Sequence, residues 1–176
     1  MTHHQTYSLS EPAGNLFLIT RFLGRGTSFP HRLMAAIAPV LSETAYSDIR
    51  KELEDHDFIK RAAEPKCFAI TRDGRDWLGY RKLNPDIWMG AMKGVQVTVE
   101  QSIADDDKSV VELMIIHAAA LANSLYEQDK TFYIYFMGLS VQCQIHMGYL
   151  SEAQHKLEKL QRLAKEIKND DLDAAD

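Results

Sequence analysis

Five polar or basic residues share one side of a predicted helix that follows Ser42. Their apolar neighbours Ile49 and Leu53 have the spacing of a buried helix stripe. Arginine can make two hydrogen bonds to guanine, serine and threonine suit bases or phosphates, and tyrosine can contact a phosphate or a thymine methyl group. The set predicts a surface that contacts the edges of DNA bases, the alternative being an ordinary solvated helix face. Its members are Thr44, Tyr46, Ser47, Arg50 and Lys51.

Basic side chains continue beyond this helix. Lys60 and Arg61 lie on the first of two short predicted strands. Lys66 precedes the second strand, and Arg72 follows it. Against a DNA duplex these four cations would neutralise phosphates, and affinity would then fall with salt. The alternative interpretation is that they only make a small sheet soluble.

Two strands and a Thr-x-x-Gly step follow the helix. Residues Ile59 to Arg61 predict the outgoing strand, and Phe68 to Thr71 predict the returning one. The run Thr71-x-x-Gly74-x-x-x-Leu78 then starts another helix. This order resembles the recognition half of a winged helix-turn-helix domain, as found in the PadR and MarR families of bacterial regulators. The resemblance covers roughly residues 14 to 78.

The resemblance to PadR-like proteins implies a homodimer whose third helix reads bases while the hairpin contacts phosphates. It also implies that the last helix is exchanged between subunits, and some family members sense a small molecule. One position departs from the family pattern, because Asp57 stands where a glycine often precedes the first strand. Aspartate tolerates the left-handed conformation that this turn needs, so we expect the turn to be kept.

Two further helices are predicted ahead of this segment. The first spans residues 14–23 and ends at Gly24-Arg25-Gly26, because paired glycines favour a turn. The second begins at Pro30, since proline is favoured in the first turn of a helix. Ser42 is predicted to cap the third helix, because its hydroxyl can accept a hydrogen bond from an unpaired backbone N–H.

Charge is distributed unevenly along the 176 residues. The net charge is −5, but residues 21–84 carry twelve Lys and Arg against nine Asp and Glu, a net of +3, which leaves −8 for the rest. A mildly basic module joined to an acidic remainder is expected if only the first part meets phosphate. Two cysteines, Cys67 and Cys143, imply no disulfide framework, and the first residues lack a signal-peptide pattern. We therefore expect a cytoplasmic protein.

The second half of the chain is predicted to be helical. A helix begins at Pro85 and runs to Ala104, and the acidic residues 105–107 end it and cap the next. Residues 110–121 are apolar almost all round, which is typical of a buried helix. The twenty-one residues 131–151 contain no Asp, Glu, Lys or Arg. That length could span a bilayer, but Gln and His inside it favour a helix buried in a dimer or bundle core.

The last predicted helix, residues 150–169, has the clearest periodicity. Its apolar residues follow alternating steps of three and four, the pattern of a coiled-coil seam. The pattern is only about two and a half heptads long, which favours a packed bundle helix or a dimer contact over an independent zipper. The seam consists of Leu150, Ala153, Leu157, Leu160, Ala164 and Ile167.

No residue pattern predicts catalysis or a cofactor. Cys143 and His146 are one helical turn apart, but two ligands do not make a metal site and no second pair has matching spacing. Gly24-x-Gly26 lacks the further glycine and the preceding strand of a dinucleotide-binding loop. No nucleophile, base and orienting group can be combined. We therefore predict no enzyme activity, no cofactor and no metal.

The sequence as a whole predicts an α+β protein that is mostly α. The expected divisions are a disordered tail (1–12), a winged helix domain (13–84), a helical dimerisation domain (85–169) and an acidic tail (170–176). The predicted function is sequence-specific binding of double-stranded DNA by a homodimeric transcriptional regulator, with no membrane partner and with a small-molecule effector left open. The alternatives are a winged-helix adaptor that binds a protein, or a partition or replication protein of a plasmid or phage.

Overall fold

The computed structural model describes residues 8–24, 26–79 and 87–173, with side chains as far as Asn169. Most of the predicted N-terminal tail, the predicted helix start at Pro85 and most of the acidic tail lie outside the described residues. The chain is mostly helical and has a small three-stranded antiparallel sheet, which confirms the predicted α+β, mostly α, class. It divides into two compact units: residues 1–21 with 27–94, and residues 22–26 with 95–176.

The first unit begins with three helices. Helix α1 spans Glu11–Ile19 and is followed by a 3-10 turn, Thr20–Phe22; α2 spans His31–Leu41 and α3 spans Tyr46–Asp55. Helix α1 starts three residues earlier than predicted, because the hydroxyl of Ser10 accepts a hydrogen bond from the amide of Ala13. The carboxylate of Glu52, on α3, accepts hydrogen bonds from both the amide and the hydroxyl of Ser10, at 2.6 Å each.

The sheet contains both predicted strands and one that was not predicted. Strand β1 is Phe29–Pro30, β2 is Ile59–Arg61 and β3 is Cys67–Ile70, and their spatial order is β1-β3-β2. Both pairs are antiparallel, with Phe29 opposite Phe68 and Ile59 opposite Ile70. Strand β1 has only two residues, one of them proline, so it has no alternating pattern that a sequence could reveal.

The core of the first unit is aromatic and aliphatic. Phe17 stacks on Phe58 with ring centroids 5.7 Å apart, and Trp77 packs against both rings. Ile49 and Leu53, the predicted apolar stripe of the third helix, are both buried. Burial of these side chains fixes which side of α3 remains in solvent.

Helix α4, Arg72–Gly79, starts at the predicted Thr-x-x-Gly step. The hydroxyl of Thr71 donates to the carbonyl oxygen of Asp57 (2.6 Å) and accepts from the amide of Gly74 (3.1 Å). One side chain therefore caps α4 and ties it to the turn before β2. Asp57 has φ 54°, which confirms the prediction that aspartate takes the left-handed conformation there.

Helix α5, Ile87–Ala104, begins in the first unit and ends in the second. Its first turns approach α2 closely, because glycine leaves space for the partner side chains. A Cβ atom at Gly90 would lie 2.7 Å from Leu41, and one at Gly94 would lie 2.1 Å from Ile37. Glycine is thus required at both positions by the close helix contact.

The second unit contains three more helices: α6 is Lys108–Leu125, α7 is Lys130–His146 and α8 is Leu150–Asp173. Asp107 caps α6 by accepting from the amide of Val110, so the predicted role of the acidic residues 105–107 is confirmed. Asp129 caps α7 in the same way. Helix α7 packs against both α6 and α8.

The uncharged stretch 131–151 is not one continuous helix. It is divided by a turn in which Gly148 has φ 82°, a left-handed conformation that ends α7. Among the described residues, one helix, α6, is long and apolar enough by length and composition to cross a membrane. A share of 44% of it is buried inside the protein, and the core helix of a water-exposed bundle has the same composition.

Candidate nucleic-acid interface

The predicted base-reading residues begin in the turn between α2 and α3. Ser42 ends α2 instead of capping α3, so its predicted role is wrong, and its hydroxyl accepts from the amide of Thr44 at 3.2 Å. Helix α3 begins four residues later, at Tyr46, with Ala45 at the cap position. The capping prediction failed because the polar run 42–47 offers several starts and only packing selects one.

Three of the five predicted residues are exposed on the same stretch of chain. Thr44 lies in the turn, and Ser47 and Lys51 lie one helical turn apart on α3, all in solvent. Asp48 is exposed beside them in the first turn. A carboxylate there suits the positive end of the helix dipole but repels phosphate. Sequence reasoning did not single out Asp48, although its position was readable.

Tyr46 points into the protein and not into solvent. Its hydroxyl lies 2.6 Å from Nδ1 of His31, the first residue of α2. Burial raises the pKa of the Tyr46 phenol well above its usual range. The phenol is thus engaged by the protein itself, and Tyr46 positions the start of α3. His31 is a structural residue that the sequence did not reveal, because no spacing rule links a helix start to a tyrosine fifteen residues later.

Arg50 is paired along its own helix. Its Nε donates to Oε1 of Glu54 at 2.7 Å, an exposed pair four residues apart. Exposed pairs of this kind contribute little to stability and are easily exchanged for another anion. Arg50 can therefore turn towards a phosphate, but it competes with Glu54 for the contact. Lys51 has no ion pair within 4.0 Å described for it and presents its charge directly.

The predicted hairpin cations are all exposed. Lys60 and Arg61 lie at the end of β2, Lys66 closes the turn before β3 with φ 57°, and Arg72 is the first residue of α4. The hairpin turn also carries an acidic residue, Glu64. The hydroxyl of Ser28 donates to this carboxylate, which lowers the pKa of Glu64. The hydrogen bond ties the hairpin turn to the segment just before β1.

The predicted seam of the last helix is divided between the interior and the surface. Ala153 and Leu160 are buried within the second unit, while Leu150, Leu157 and Ala164 are exposed. Ile167 is half-buried. Two of the six residues are therefore used by the protein's own bundle, and the exposed ones fall on another side of α8.

The Cys143–His146 pair is separated by its surroundings. Burial raises the pKa of the Cys143 thiol to about 12. The side chain of His146 instead lies 2.9 Å from the carboxylate of Asp106, through Nε2. Within the described part of the chain, no cluster of three or more His, Cys, Asp or Glu residues could hold a metal ion. His117 is fully buried and its Nδ1 accepts from the amide of Gly24 at 3.1 Å, the position of a core histidine.

The geometry thus brings together an exposed helix start, with Thr44, Ser47 and Lys51, and a hairpin that carries three cations. Comparison of the chain with protein-family models, with curated proteins and with solved structures gave no match.

Proposed function

We propose that residues 29–79 form a winged helix-turn-helix domain and that the protein is a sequence-specific DNA-binding transcriptional regulator that acts as a homodimer. The observation that supports this most is the element order: two helices joined by a four-residue turn, followed by an antiparallel hairpin in a sheet of order β1-β3-β2. This arrangement suits a helix that enters the major groove while the hairpin contacts the adjacent phosphates.

In the proposed complex, the start of α3 faces the bases. Ser47 and Lys51 project from the exposed side of α3, and Thr44 precedes them in the turn. Lys60, Arg61 and Lys66 contact the backbone from the hairpin. One such helix makes few base contacts, so two copies at a fixed spacing supply the selectivity of a symmetric site.

Selection of bound fragments from random DNA tests the proposal directly. The parent protein is expected to enrich a two-fold symmetric motif. The double variant Lys51→Glu/Lys60→Glu is then expected to lose binding to that motif and to show a salt dependence weaker by about one unit of slope per lost phosphate contact.

A charge-matched control separates these positions from net charge alone. Lys108→Glu/Lys130→Glu reverses two exposed lysines at the starts of α6 and α7. It should bind within a few-fold of the parent. Equal loss in both double variants, or no enriched motif with the parent, would refute the DNA-binding proposal.

A second candidate function is an adaptor whose winged helix binds a protein. The mixed charge of the α3 surface favours it, since Asp48 lies beside Lys51 and Glu54 pairs with Arg50. Partition or replication proteins of plasmids or phages would use the same surface on DNA. Retrieval of no DNA motif, with a partner protein lost on Lys51→Glu, would favour the adaptor.

A further inference from the structure

We infer that the exposed side of α7 is the contact between two copies of this chain, packed antiparallel about Gly138. The inference rests on the proposed homodimer and names the surface that forms it. The contact surface consists of Thr131, Tyr135, Gly138, Gln142 and Ile145, and we call it the α7 seam.

The α7 seam has the spacing of a helix–helix contact. Its five positions follow steps of four, three, four and three, which keeps them on one side of a helix that meets a partner at a small angle. The other side of α7 is buried against α6 and α8. The seam therefore faces away from the protein's own bundle.

Gly138 lies at the midpoint of the seam and has no role in the chain's own packing. A Cβ atom built there meets nothing within 4 Å, in contrast to Gly74, Gly90 and Gly94, where it would collide. Glycine in the interior of a helix is destabilising, and space for a close neighbour is the usual reason for it. A second α7 crossing at this point supplies that reason, since two glycines let the helix backbones approach.

The seam excludes charge. Between Thr131 and Ser151 the chain has no Asp, Glu, Lys or Arg, whereas the exposed side of α8 carries Glu152, Glu158 and Lys159. Charged residues are depleted at the centre of protein interfaces. A helix lying on a lipid surface would instead carry Lys or Arg along its polar side, and here that side is the packed core. These features favour a second copy of the chain over a membrane.

The available area matches a dimer. Phe132, Tyr135, Ile145, Tyr149 and Leu150 are 38 to 63% exposed. At roughly 200 Å² for a whole large side chain, they leave on the order of 450 Å² of surface per copy. A standard interface buries about 800 Å² per partner, of which about 60% is apolar, so about 480 Å² is needed.

An antiparallel pair with its two-fold axis at Gly138 matches large residues with smaller ones. Residues 131 and 145 are equidistant from Gly138. Thr131 of one copy therefore lies near Ile145 of the other, and Tyr135 lies near Gln142. Every contact is made twice, as two-fold symmetry requires.

Sedimentation equilibrium of the full chain tests the inference. The parent is expected to form a dimer of two 20.0 kDa chains. Ile145→Glu should raise the dimer dissociation constant at least about 100-fold, because it buries an unpaired carboxylate in the contact. Gly138→Leu should have a similar effect while leaving the helical content unchanged, because the monomer has open space there. Circular dichroism confirms that each variant is folded.

Leu157→Glu is the matched control. Leu157 is exposed and belongs to the periodic pattern of α8, and not to the α7 seam. It should leave the dissociation constant within a few-fold of the parent. A parent that is monomeric at 100 µM (~100-fold above the affinity range of weak dimers), or a dimer that Leu157→Glu breaks and Ile145→Glu does not, would overturn the inference.

Cross-linking reports the direction of packing. Thr131→Cys and Ile145→Cys proteins, mixed and oxidised, should form a mixed disulfide, while each alone should not. Native Cys67 and Cys143 are buried and do not compete. Self-linking of the single variants would indicate parallel helices and contradict the antiparallel contact.

The outcomes for the α7 seam and for the proposed function are separable. Dimerisation is measured without DNA, so an α7-dependent dimer that enriches no DNA motif would refute the regulator and leave the seam intact. A parent that enriches a symmetric motif, with Ile145→Glu still dimeric, would refute the seam and leave the regulator intact.

Discussion

The backbone of Gly74 lies so close to the carbonyl oxygen of Phe58 that a Cβ atom at this position would be 2.4 Å from it. Phe58 begins the strand side of the α3–β2 turn, and its carbonyl also accepts from the amide of Thr71 at 3.0 Å. The contact therefore fixes the start of α4 against the start of the hairpin. It explains in steric terms why the Thr-x-x-Gly step needs glycine.

Gly74→Ala is expected to lower the free energy of unfolding by about 2 kcal/mol, because the obstructing atom is backbone and cannot rotate away. Urea denaturation measures the change. Gly79→Ala, at the end of the same helix with nothing within 4 Å, is the control and should be neutral or slightly stabilising. Equal effects at the two glycines would show that helix propensity, and not the contact with Phe58, decides the result.

Thr71→Val should destabilise the first unit by about 1 to 2 kcal/mol, because it keeps the shape and removes the hydroxyl that caps α4. The loss includes the bond to the carbonyl oxygen of Asp57 at 2.6 Å. Thermal unfolding of Thr71→Val and Thr71→Ser provides the comparison. Serine retains the hydroxyl and should keep most of the stability; if serine is as unstable as valine, the methyl packing and not the cap is responsible.

Local chemistry accounts for the parts of the fold that were predicted. The left-handed turn at Asp57, the cap at Thr71 and the cap at Asp107 each depend on a side chain that bonds its own neighbourhood. Such signals are contained in a few consecutive residues and survive whatever the rest of the chain does. The same holds for the start of α8 at Leu150, which follows a left-handed glycine.

The features that were missed depend on distant partners. Strand β1 exists because Phe29 pairs with Phe68, thirty-nine positions away. Tyr46 faces inward because His31 accepts it, and α3 starts there and not after Ser42. The roles of individual side chains at the candidate interface are therefore less readable from sequence than the elements that carry them. Tertiary packing selects among several acceptable local starts.

Gly94→Ala is expected to lower the free energy of unfolding by about 2 kcal/mol or more, because its Cβ would lie 2.1 Å from Cγ1 of Ile37. Chemical denaturation of the single variants and of Gly94→Ala/Ile37→Ala forms a double-mutant cycle. The shortened side chain at residue 37 removes the collision, so the two changes should compensate each other by about 1 kcal/mol or more.

Additive effects in this cycle would contradict the close approach of α2 and α5 at this position. Lys93→Ala, the exposed neighbour of Gly94, serves as the control and should change stability by no more than about 0.5 kcal/mol. The cycle thus tests the helix contact independently of any function.

His31 is expected to make stability depend on pH. Burial is the main cause that lowers the pKa of His31 below its ordinary value of 6.5, and the nearby Arg50 acts in the same direction, against Glu54. The folded state therefore favours the neutral imidazole, and the unfolded state binds more protons at mildly acidic pH. Stability is complete above pH 6.5 and decreases as the pH falls from 6.5 towards the lower pKa of the folded state.

The free energy of unfolding, measured from pH 8 to pH 4.5, tests this expectation. His31→Gln keeps a group that can bond Tyr46 but does not titrate, so it should remove part of the decrease below pH 6.5. His155→Gln, at an exposed position on α8, is the matched control and should follow the parent. If His31→Gln and the parent lose stability in parallel over this range, the imidazole of His31 is not the group responsible. If the slopes diverge as expected, the bond from Tyr46 to His31 is what sets the orientation of the start of α3 above pH 6.5.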